Sequence, residues 1–329
     1  MTDLAPTLQA FFTDHLSGYR QASPHTTAAY RDTMKLLLTF AAGRCGIQPS
    51  SLQVSDLDAP LIGAFLQHLQ DERGNSARTR NARLAAIHAL FRFAALRHPE
   101  HAATIQRVLA IPPKRFDRRL ITYLDDAEVT ALLAAPDTDT WTGRRDHALL
   151  TLAVQTGLRA SELTSLKHAD LHLGVGAHVT CTGKGRKQRI TPLTATTVSV
   201  MSAWTAHRNP APTDPLFPSR YGTPMSCDAL QQRLATHAAT AARSAPTLLE
   251  KRISPHVLRH TAAMRLLAAG VDSTVIALWL GHEKVATTQI YIHADLAIKQ
   301  HAMDRTAPLN TEPGRYHPDD DVLAFLSSL

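Results

Sequence analysis

Four short stretches in the second half of the chain carry side chains that are able to handle a phosphate group. In SPHVLRH, residues 254–260, Ser254 and Pro255 are typical of a helix start, and His256 and Arg259 follow in the first turn. The unpaired N–H groups of a first helical turn favour a bound phosphate. His256 and His260 are four apart, which also suits a zinc ion, but Val257 stands where an H-E-x-x-H motif has glutamate.

Two further stretches supply cations and one carboxylate. TGLRASEL places Arg159 just past a glycine and Glu162 three residues later, so the two side chains share a helix face. Taken alone, this spacing favours an ordinary surface ion pair of small energetic value. GKGRKQR carries four cations between and beyond two glycines: Lys184, Arg186, Lys187 and Arg189. Its glycine spacing does not fit a phosphate-binding P-loop, and charge runs of this kind usually form solvated turns.

The fourth stretch, WLGHEKVATTQIYIH, contains His282 and, nine residues later, Tyr291. A lone tyrosine at helical spacing is more often part of a packed core. These stretches therefore leave a phosphate site, a metal site and plain packing open when each is considered alone.

The elements that position these residues are mostly helical. The first 110 residues show apolar side chains at helical spacing, with Ser23 and Asp58 as predicted N-caps and Arg78, Arg80 and Arg83 near the start of a later helix. Helices are predicted over 23–43, 58–74, 75–99, 100–110, 124–136, 143–157, 158–171, 194–207, 226–242, 254–269, 272–280 and 284–293. Two strands, 177–182 and 187–193, are predicted around the Gly-Lys-Gly turn.

This pattern predicts a mainly α chain with a small β-sheet, of the α+β class. We expect a helical domain over 1–110, an exposed basic linker over 111–120 and a mixed α/β domain over 121–305. A tail over 306–329 contains three prolines and ends in a short apolar helix, which packs either on its own domain or on a neighbouring copy.

Composition limits the classes of function. With 44% hydrophobic residues the chain is able to build real cores, and its three scattered cysteines support neither a zinc knuckle nor a disulfide framework. The sequence predicts a cytoplasmic protein, because it has neither a signal-peptide pattern nor an apolar run that spans a membrane. Residues 1–120 contain 15 Lys and Arg against 9 Asp and Glu, whereas residues 121–329 contain 20 against 19. This excess of positive charge makes the N-terminal part the stronger candidate for binding a polyanion.

The order of the motifs resembles the tyrosine recombinases, the phage-integrase family. TGLRxSEL, a basic hairpin, HxLRH, LGH and a tyrosine nine residues later follow one another as they do there, and the resemblance covers nearly the whole chain. His282 occupies a place where some members have tryptophan. The resemblance implies an N-terminal core-binding domain and a catalytic domain that close on duplex DNA as a C-shaped clamp. It implies site-specific strand exchange, for integration, excision, transposition or resolution of DNA, with no metal and no cofactor.

The resemblance also assigns roles to individual residues. Tyr291 is the implied nucleophile, which forms a 3′-phosphotyrosine. Arg159 and Arg259 are the implied phosphate ligands, and two forked, permanently charged guanidiniums suit the charge that develops on a phosphate in the transition state. Because a tyrosine hydroxyl has a pKa of about 10, it needs help to lose its proton near neutrality, and His256 is the implied residue for this transfer.

Three supporting roles follow from the same resemblance. Lys184 is the implied general acid for the leaving 5′-oxygen, His282 the implied hydrogen-bond donor to a phosphate oxygen, and Glu162 the acidic residue that orients its neighbours. We expect His260 to pack within its helix or to support the site. Contacts with the DNA backbone are expected from ten basic residues: Arg78, Arg80, Arg83, Lys114, Arg115, Arg118, Arg119, Arg186, Lys187 and Arg189.

The implied partners are a specific double-stranded DNA site and further copies of the chain. Members of the family act as tetramers on two DNA sites through a Holliday junction, with related recombinases or accessory proteins as possible partners. Three other classes stay open as alternatives. They are a DNA-relaxing enzyme of the type IB topoisomerase kind, a DNA-binding regulator without catalysis, and a zinc hydrolase that would need Glu283 as a further ligand.

Overall fold

The chain divides into two compact units, which we describe separately. The computed structural model describes residues 3–116, 121–183, 188–206 and 210–281, together with Tyr291. By their internal contacts the N-terminal unit comprises Met1–Arg118 and the C-terminal unit Arg119–Leu329. The helix predicted over 284–293, apart from Tyr291, and the C-terminal tail lie outside the described residues.

The N-terminal unit is a helical bundle. Its helices are α1 Leu4–Ala10, which continues into a π-helix over Phe11–Tyr19, α2 Pro24–Cys45, α3 Ala59–Asp71, α4 Ala77–Ala95 and α5 Ala102–Leu109. The predicted caps are confirmed, because the Ser23 hydroxyl accepts the N–H of Thr26 and the Asp58 carboxylate accepts the N–H of Leu61. Each cap satisfies a backbone donor that the helix itself leaves unpaired.

The bundle closes around its own apolar core. Phe11, Leu37, Phe65 and Phe91 are each at most 2% exposed, and they come from four different elements. Burial of side chains of this size stabilises a fold by roughly 1.5–3 kcal/mol each, before the entropy cost of ordering them. No helix among the described residues is both long enough and apolar enough to cross a membrane.

The C-terminal unit is also mainly helical. Its helices are α6 Asp126–Ala134, α7 Trp141–Thr156, α8 Ala160–Ser165, α9 Ala195–Ala206, α10 Cys227–Ala241, α11 Pro255–Ala268 and α12 Ser273–Leu280. The predicted capping box of α6 is present, since Asp125 and Glu128 exchange hydrogen bonds at 2.8 and 2.9 Å. α7 ends at Gly157 with φ of +65°, and α12 ends at Gly281 with the same φ.

A small antiparallel sheet lies beside these helices. Its order is β1-β2-β3, with the strands Leu171–His172, His178–Thr182 and Gln188–Pro192. The two predicted strands are confirmed as β2 and β3. The helix predicted over 158–171 is too long, because α8 ends at Ser165 and the chain then turns extended. The carbonyl of Leu166 accepts the backbone N–H of Leu216 at 2.8 Å, Leu166 and Lys167 are extended, and a 3-10 turn over His168–Asp170 leads into β1.

All three tryptophans of the chain belong to the C-terminal unit, and Trp204 is buried in its core. The rings of Trp141 and Trp204 lie 5.7 Å apart, and Trp204 Nε1 donates to the carbonyl of Leu216 at 2.9 Å. Trp279 Nε1 donates to the carbonyl of Thr156 at 3.1 Å, at the end of α7. This last bond joins the ends of α7 and α12, the two helices whose terminal turns border the candidate site.

Candidate active site

Arg159 lies at the start of α8, two residues after Gly157, the glycine at which α7 ends. It is the N-cap residue, and its backbone N–H donates to Glu162 Oε2 at 2.8 Å. Its guanidinium donates to Glu162 Oε1 at 2.8 Å and to the carbonyl of Gly281 at 3.2 Å. The side chain is 36% exposed, so it is anchored on one side and open to a ligand on the other.

Glu162 is the buried carboxylate at the centre of the site. The Arg189 guanidinium, from β3, donates to both of its oxygens at 2.9 and 2.7 Å. Burial acts to raise the pKa of Glu162, but the hydrogen bonds from Arg189 and from the backbone and side chain of Arg159 outweigh it and lower that pKa to about 2. Glu162 is therefore ionised throughout the physiological range of pH.

Arg259 comes from the first turn of α11, as the SPHVLRH stretch predicts, and is only 2% exposed. Its guanidinium donates to the carbonyls of Gly157 and Leu280 at 2.8 and 2.7 Å. Burial, followed by the charge of Arg159, lowers the pKa of Arg259 to about 10. The group still carries its positive charge at neutral pH, and no carboxylate neutralises it directly among its described hydrogen bonds.

The two arginines are brought together by one turn. Arg259 is held by the carbonyl of Leu280 and Arg159 by the carbonyl of Gly281, the last residues before His282. The polar backbone of this turn thus aligns two cations on neighbouring carbonyls. The convergence of Arg159, Glu162 and Arg259 agrees with the grouping expected from the sequence.

Two histidines of α11 and a tyrosine form a second group beside the arginines. The rings of His256 and His260 pack edge to face with centroids 4.3 Å apart, and His260 Nδ1 lies 3.1 Å from the hydroxyl of Tyr291. The donor in that hydrogen bond depends on the tautomer of the imidazole. Tyr291 is 1% exposed and packs in a cluster with Ala263 and Met264, among others.

Burial controls the protonation of these three groups. It lowers the pKa of His260 to about 4, with the charges of His256 and Arg259 acting in the same direction. The pKa of exposed His256 is also lowered, by partial loss of hydration and by the charges of Arg259 and Arg159. Burial raises the pKa of Tyr291 although both arginines oppose it. The hydroxyl is therefore neutral at physiological pH.

Several predicted site residues differ from expectation or lie outside the described part. His260, expected to pack or support, is the histidine that contacts the Tyr291 hydroxyl, whereas His256 was expected to serve it. Arg189 was expected on a DNA-contacting surface, but its guanidinium is bound to Glu162 and its side chain is 12% exposed. The residues outside the described part are Arg118, Arg119, Lys184, Arg186, Lys187, His282 and Glu283.

The basic residues predicted to contact DNA in the N-terminal unit fall into two groups. Arg78 and Arg115 are exposed, and Arg78 lies over the ring of Phe116 at 5.6 Å. Arg80 and Arg83 are half-buried and donate within the unit, to the carbonyl of Pro112 at 3.2 Å and to the hydroxyl of Thr33 at 3.1 Å. Only the first pair presents guanidiniums without a described hydrogen bond.

The first residues of the predicted linker are attached to α4. The main chain of Lys114 exchanges two hydrogen bonds with the Asn81 side chain, at 2.8 and 2.9 Å. The Lys114 ammonium, also predicted to contact DNA, donates to Gln70 Oε1 at 3.3 Å. The predicted linker is therefore still bound to the N-terminal unit at Lys114, although its prolines predicted an exposed segment from residue 111.

In the described part of the chain, three potential metal ligands come close together only in the N-terminal unit. They are Asp3, His98 and Glu100, and these side chains already bind protein groups. Asp3 contacts His101 at 2.8 Å, and His98 contacts Glu100 at 3.1 Å. This group is not the pair His256 and His260 that the zinc alternative invoked.

Comparison with family models and curated proteins agrees with the motifs. The model described as "Phage integrase family" matches residues 122–297, and "Phage integrase, N-terminal SAM-like domain" matches residues 10–98. The chain is 53% identical over 326 residues to a putative integrase/recombinase, y4rC, of Sinorhizobium fredii (strain NBRC 101917 / NGR234), covering 99% of this chain and 98% of that protein. It is 33% identical over 289 residues to the tyrosine recombinase XerC of Xylella fastidiosa (strain 9a5c), covering 88% and 92%.

Solved structures share the fold. The integrase of transposon Tn1549 in complex with a circular intermediate DNA matches with a TM-score of 0.68 at 18% identity, covering 92% of this chain and 99% of that one. The XerH site-specific recombinase bound to difH substrate matches with a TM-score of 0.65 at 21% identity, covering 89% and 83%. The mainly helical architecture with a small sheet is thereby confirmed, and the family models and close relatives establish that the chain belongs to the phage integrase family of site-specific tyrosine recombinases, which act on DNA.

Proposed function

We propose that the chain cuts and rejoins DNA with Tyr291 as its nucleophile and Arg159 and Arg259 as its phosphate ligands. The observation that carries this proposal is the anchoring of both guanidiniums on one turn, through the carbonyls of Gly281 and Leu280 at 3.2 and 2.7 Å. Two fixed cations at adjacent carbonyls suit the non-bridging oxygens of one phosphodiester. Preorganised donors of this kind stabilise the charge that develops in the transition state.

The chemical step transfers one phosphoryl bond to the protein. The Tyr291 oxygen attacks phosphorus and loses its proton, a P–O(Tyr) bond forms, and the bond from phosphorus to the 5′-oxygen breaks. The 5′-oxygen leaves as a hydroxyl after it takes up a proton. A 3′-phosphotyrosine conserves the bond energy, so rejoining needs only attack by a 5′-hydroxyl in the reverse direction.

We assign the proton transfers and the remaining contacts from the resemblance to the family. His256, exposed at the start of α11, assists removal of the tyrosine proton, and Lys184 gives a proton to the leaving oxygen. His282 donates to a phosphate oxygen, and Glu162 orients Arg159. Because Tyr291 is 1% exposed and its hydroxyl contacts His260, DNA has to draw this side chain out before it reaches phosphorus.

Assembly follows as a finer part of the same proposal. We propose that four copies act on two DNA sites and exchange strands through a Holliday junction, in integration, excision, transposition or resolution. Residues 319–329 then dock on a neighbouring copy, so that cleavage depends on assembly. A substrate of this kind places the protein in a bacterial cytoplasm, at the nucleoid. Exposed Arg78 and Arg115 in the N-terminal unit are the described candidates for contact with the DNA backbone.

The test is covalent capture of DNA. Nicked duplexes tiled across the DNA that flanks the gene are incubated with the full chain in the presence of a chelator, and adducts are resolved by denaturing electrophoresis. Wild type should form a protein–DNA adduct, and Tyr291→Phe should form none while it retains DNA binding. Tyr316→Phe serves as the matched control and should retain the adduct.

Each alternative predicts a different result. An adduct that persists in Tyr291→Phe contradicts the assignment of the nucleophile. Binding without any adduct supports a non-catalytic regulator, and relaxation of supercoiled DNA without site preference supports a topoisomerase. Activity that the chelator removes supports the zinc hydrolase.

A further inference from the structure

Glu162 is shared between two arginines in unequal ways. The Arg189 guanidinium donates hydrogen bonds to both carboxylate oxygens, at 2.9 and 2.7 Å, and its side chain is only 12% exposed. Arg159 offers one guanidinium nitrogen to Oε1 at 2.8 Å, and its side chain is 36% exposed. Arg189, the more buried arginine, thus makes the bidentate contact that is strongest for a carboxylate. Arg159, the more accessible arginine, makes a single side-chain hydrogen bond to it.

The count of charges at this place has a direct chemical consequence. Arg159, Arg189 and Arg259 contribute three positive charges, and Glu162 contributes one negative charge. If Arg189 were absent, Arg159 would be the only cation hydrogen-bonded to Glu162 among the described residues, and the carboxylate would compete with an incoming phosphate for it. Because Arg189 neutralises the carboxylate, a net charge of two remains for the ligand.

Arg189 also touches the turn that holds both phosphate arginines. A Cβ added to Gly281 would come within 2.8 Å of Arg189 Nη1 and within 3.1 Å of its Cδ. The same Gly281 accepts a hydrogen bond from Arg159 through its carbonyl. Arg189 is the second residue of β3. One side chain therefore joins the sheet to Glu162 and to the turn before His282.

We propose that Arg189 is a positioning residue that neutralises Glu162, so that Arg159 keeps its positive charge for the scissile phosphate. This inference rests on the proposed function, because it assumes that Arg159 binds the phosphate that Tyr291 attacks. It replaces the expectation that Arg189 contacts DNA. It also explains why a carboxylate is tolerated within hydrogen-bond distance of a phosphate ligand.

The decisive test is suppression of one substitution by another. Arg189→Met removes the charge but keeps much of the apolar bulk, and we expect single-turnover cleavage of the nicked duplex to slow by roughly 10- to 100-fold, within the range for loss of one transition-state donor. Affinity for the duplex should change by less than about two-fold. Glu162→Gln, added to Arg189→Met, should recover about ten-fold of the rate, because it removes the competing charge.

Matched variants separate charge from packing. Arg189→Lys should retain more activity than Arg189→Met, since the ammonium still neutralises Glu162 although it loses the two-pronged geometry. Arg233→Met removes another arginine–carboxylate contact of the same unit, the 2.6 Å pair with Asp146, and should leave cleavage within about two-fold of wild type. Thermal unfolding of every variant checks that the fold is intact.

A second measurement does not depend on cleavage. Inorganic phosphate should raise the Tm of wild type by binding at Arg159 and Arg259, as a ligand selective for the folded state does. This shift should be smaller in Arg189→Met and should return in the double variant. Arg159→Ala should remove most of it.

The results distinguish this inference from the proposed function. If wild type forms no Tyr291-dependent adduct, the proposed function fails, and the phosphate-induced shift still tests Arg189. If wild type forms the adduct but Glu162→Gln does not rescue Arg189→Met, the inference about Arg189 alone is overturned. Loss of DNA affinity in Arg189→Met, with a weaker dependence on salt and no rescue, would instead show a direct DNA contact.

Discussion

At the scale of single residues, burial shifts the pKa values of His260 and Tyr291 away from those that are ordinary for histidine and tyrosine. The imidazole of His260 lies between an exposed histidine and a buried hydroxyl, and its pKa falls to about 4. It is neutral at physiological pH and is able either to donate to Tyr291 or to accept from it. A neutral partner holds the tyrosine without favouring its ionisation, which agrees with the role of nucleophile that we propose for Tyr291.

The first prediction concerns stability against acid. The unfolded chain protonates His260 near its ordinary pKa of about 6.5, whereas the folded chain resists protonation until about pH 4. Between these values the unfolded state binds more protons, so stability should fall as pH falls, by at most about 3 kcal/mol from this group. His260→Gln should show a shallower fall in the free energy of unfolding, measured by urea titration at several pH values.

A control fixes the origin of this effect. His172→Gln removes an exposed histidine of the same unit and should leave the wild-type dependence on pH. Some dependence should persist in His260→Gln, because the pKa of His256 is lowered as well. An unchanged slope in His260→Gln would contradict the role given to burial.

The resemblance carried by the order of the motifs implied which residues gather at the site, but not all of their partners. Arg159, Glu162 and Arg259 lie in motifs that the resemblance assigns to one site. Arg189 approaches Glu162 across 27 residues, and His260 approaches Tyr291 across 31. Such contacts depend on how β3 and α11 pack, and no periodicity in the chain reports that. A cation three residues before Pro192, the last residue of β3, was the one available sign for Arg189.

At the scale of elements, glycine turns decide where backbone carbonyls point. Gly157 ends α7 and Gly281 ends α12, both with φ of +65°, and their carbonyls receive Arg259 and Arg159. A positive φ is unfavourable for residues with a Cβ. The helix ends therefore serve as ligands for the arginines as well as boundaries.

The second prediction compares two glycines with similar backbones and different surroundings. A Cβ at Gly157 would lie 2.6 Å from Leu280 Cδ2 and 3.0 Å from Ala262 Cβ, whereas at Gly270, with φ of +80°, nothing lies within 4 Å. Gly270→Ala should lower the free energy of unfolding by about 1 kcal/mol through φ alone. Gly157→Ala should add roughly 1–3 kcal/mol of overpacking, measured by urea unfolding.

Cleavage assays extend this comparison to function. Because the Gly157 carbonyl anchors Arg259, Gly157→Ala should also slow adduct formation, while Gly270→Ala should not. Equal stability of the two variants would show that Leu280 moves aside freely, and the close packing of α7 on α12 would then have little energetic value.

Helices with clear periodicity and caps were predictable from the sequence, and short elements were not. Ser23, Asp58 and Asp125 each fix a helix start by local chemistry. The two residues of β1 are too few to show an alternation, and they form a strand because they pair with His178 and Val179 of β2. Residues 212–216 pair with the chain directly beyond α8. The end of α8 at Ser165 therefore depends on a distant segment.

At the scale of the whole molecule, positive charge is concentrated in residues 1–120, where basic residues outnumber acidic ones by 15 to 9. The structure refines this picture, since Arg80 and Arg83 are engaged within the N-terminal unit and Arg78 is exposed. Net charge therefore overstates the number of groups that are available to a DNA backbone. The sequence predicted the two units and the family, and it could not separate structural arginines from exposed ones.

The third prediction uses this separation. Affinity for a short fluorescent duplex should fall steeply with salt, because bound cations release counterions from DNA. Arg78→Gln should lower the slope of log affinity against log salt by about 1, as expected for loss of one phosphate contact. Arg83→Gln, the matched control, should leave the slope near wild type although it lowers stability. Equal slopes in both variants would contradict the assignment of Arg78.

The placement of the tryptophans means that intrinsic indole fluorescence reports on the C-terminal unit. Trp141, Trp204 and Trp279 all belong to that unit. The indole of Trp279 bridges the ends of α7 and α12, beside the turn whose carbonyls bind Arg159 and Arg259. Selective excitation of indole fluorescence therefore follows one half of the molecule, while far-ultraviolet dichroism follows both. Separate melting of the halves would appear as two transitions in dichroism and one in emission, without any label added to the chain.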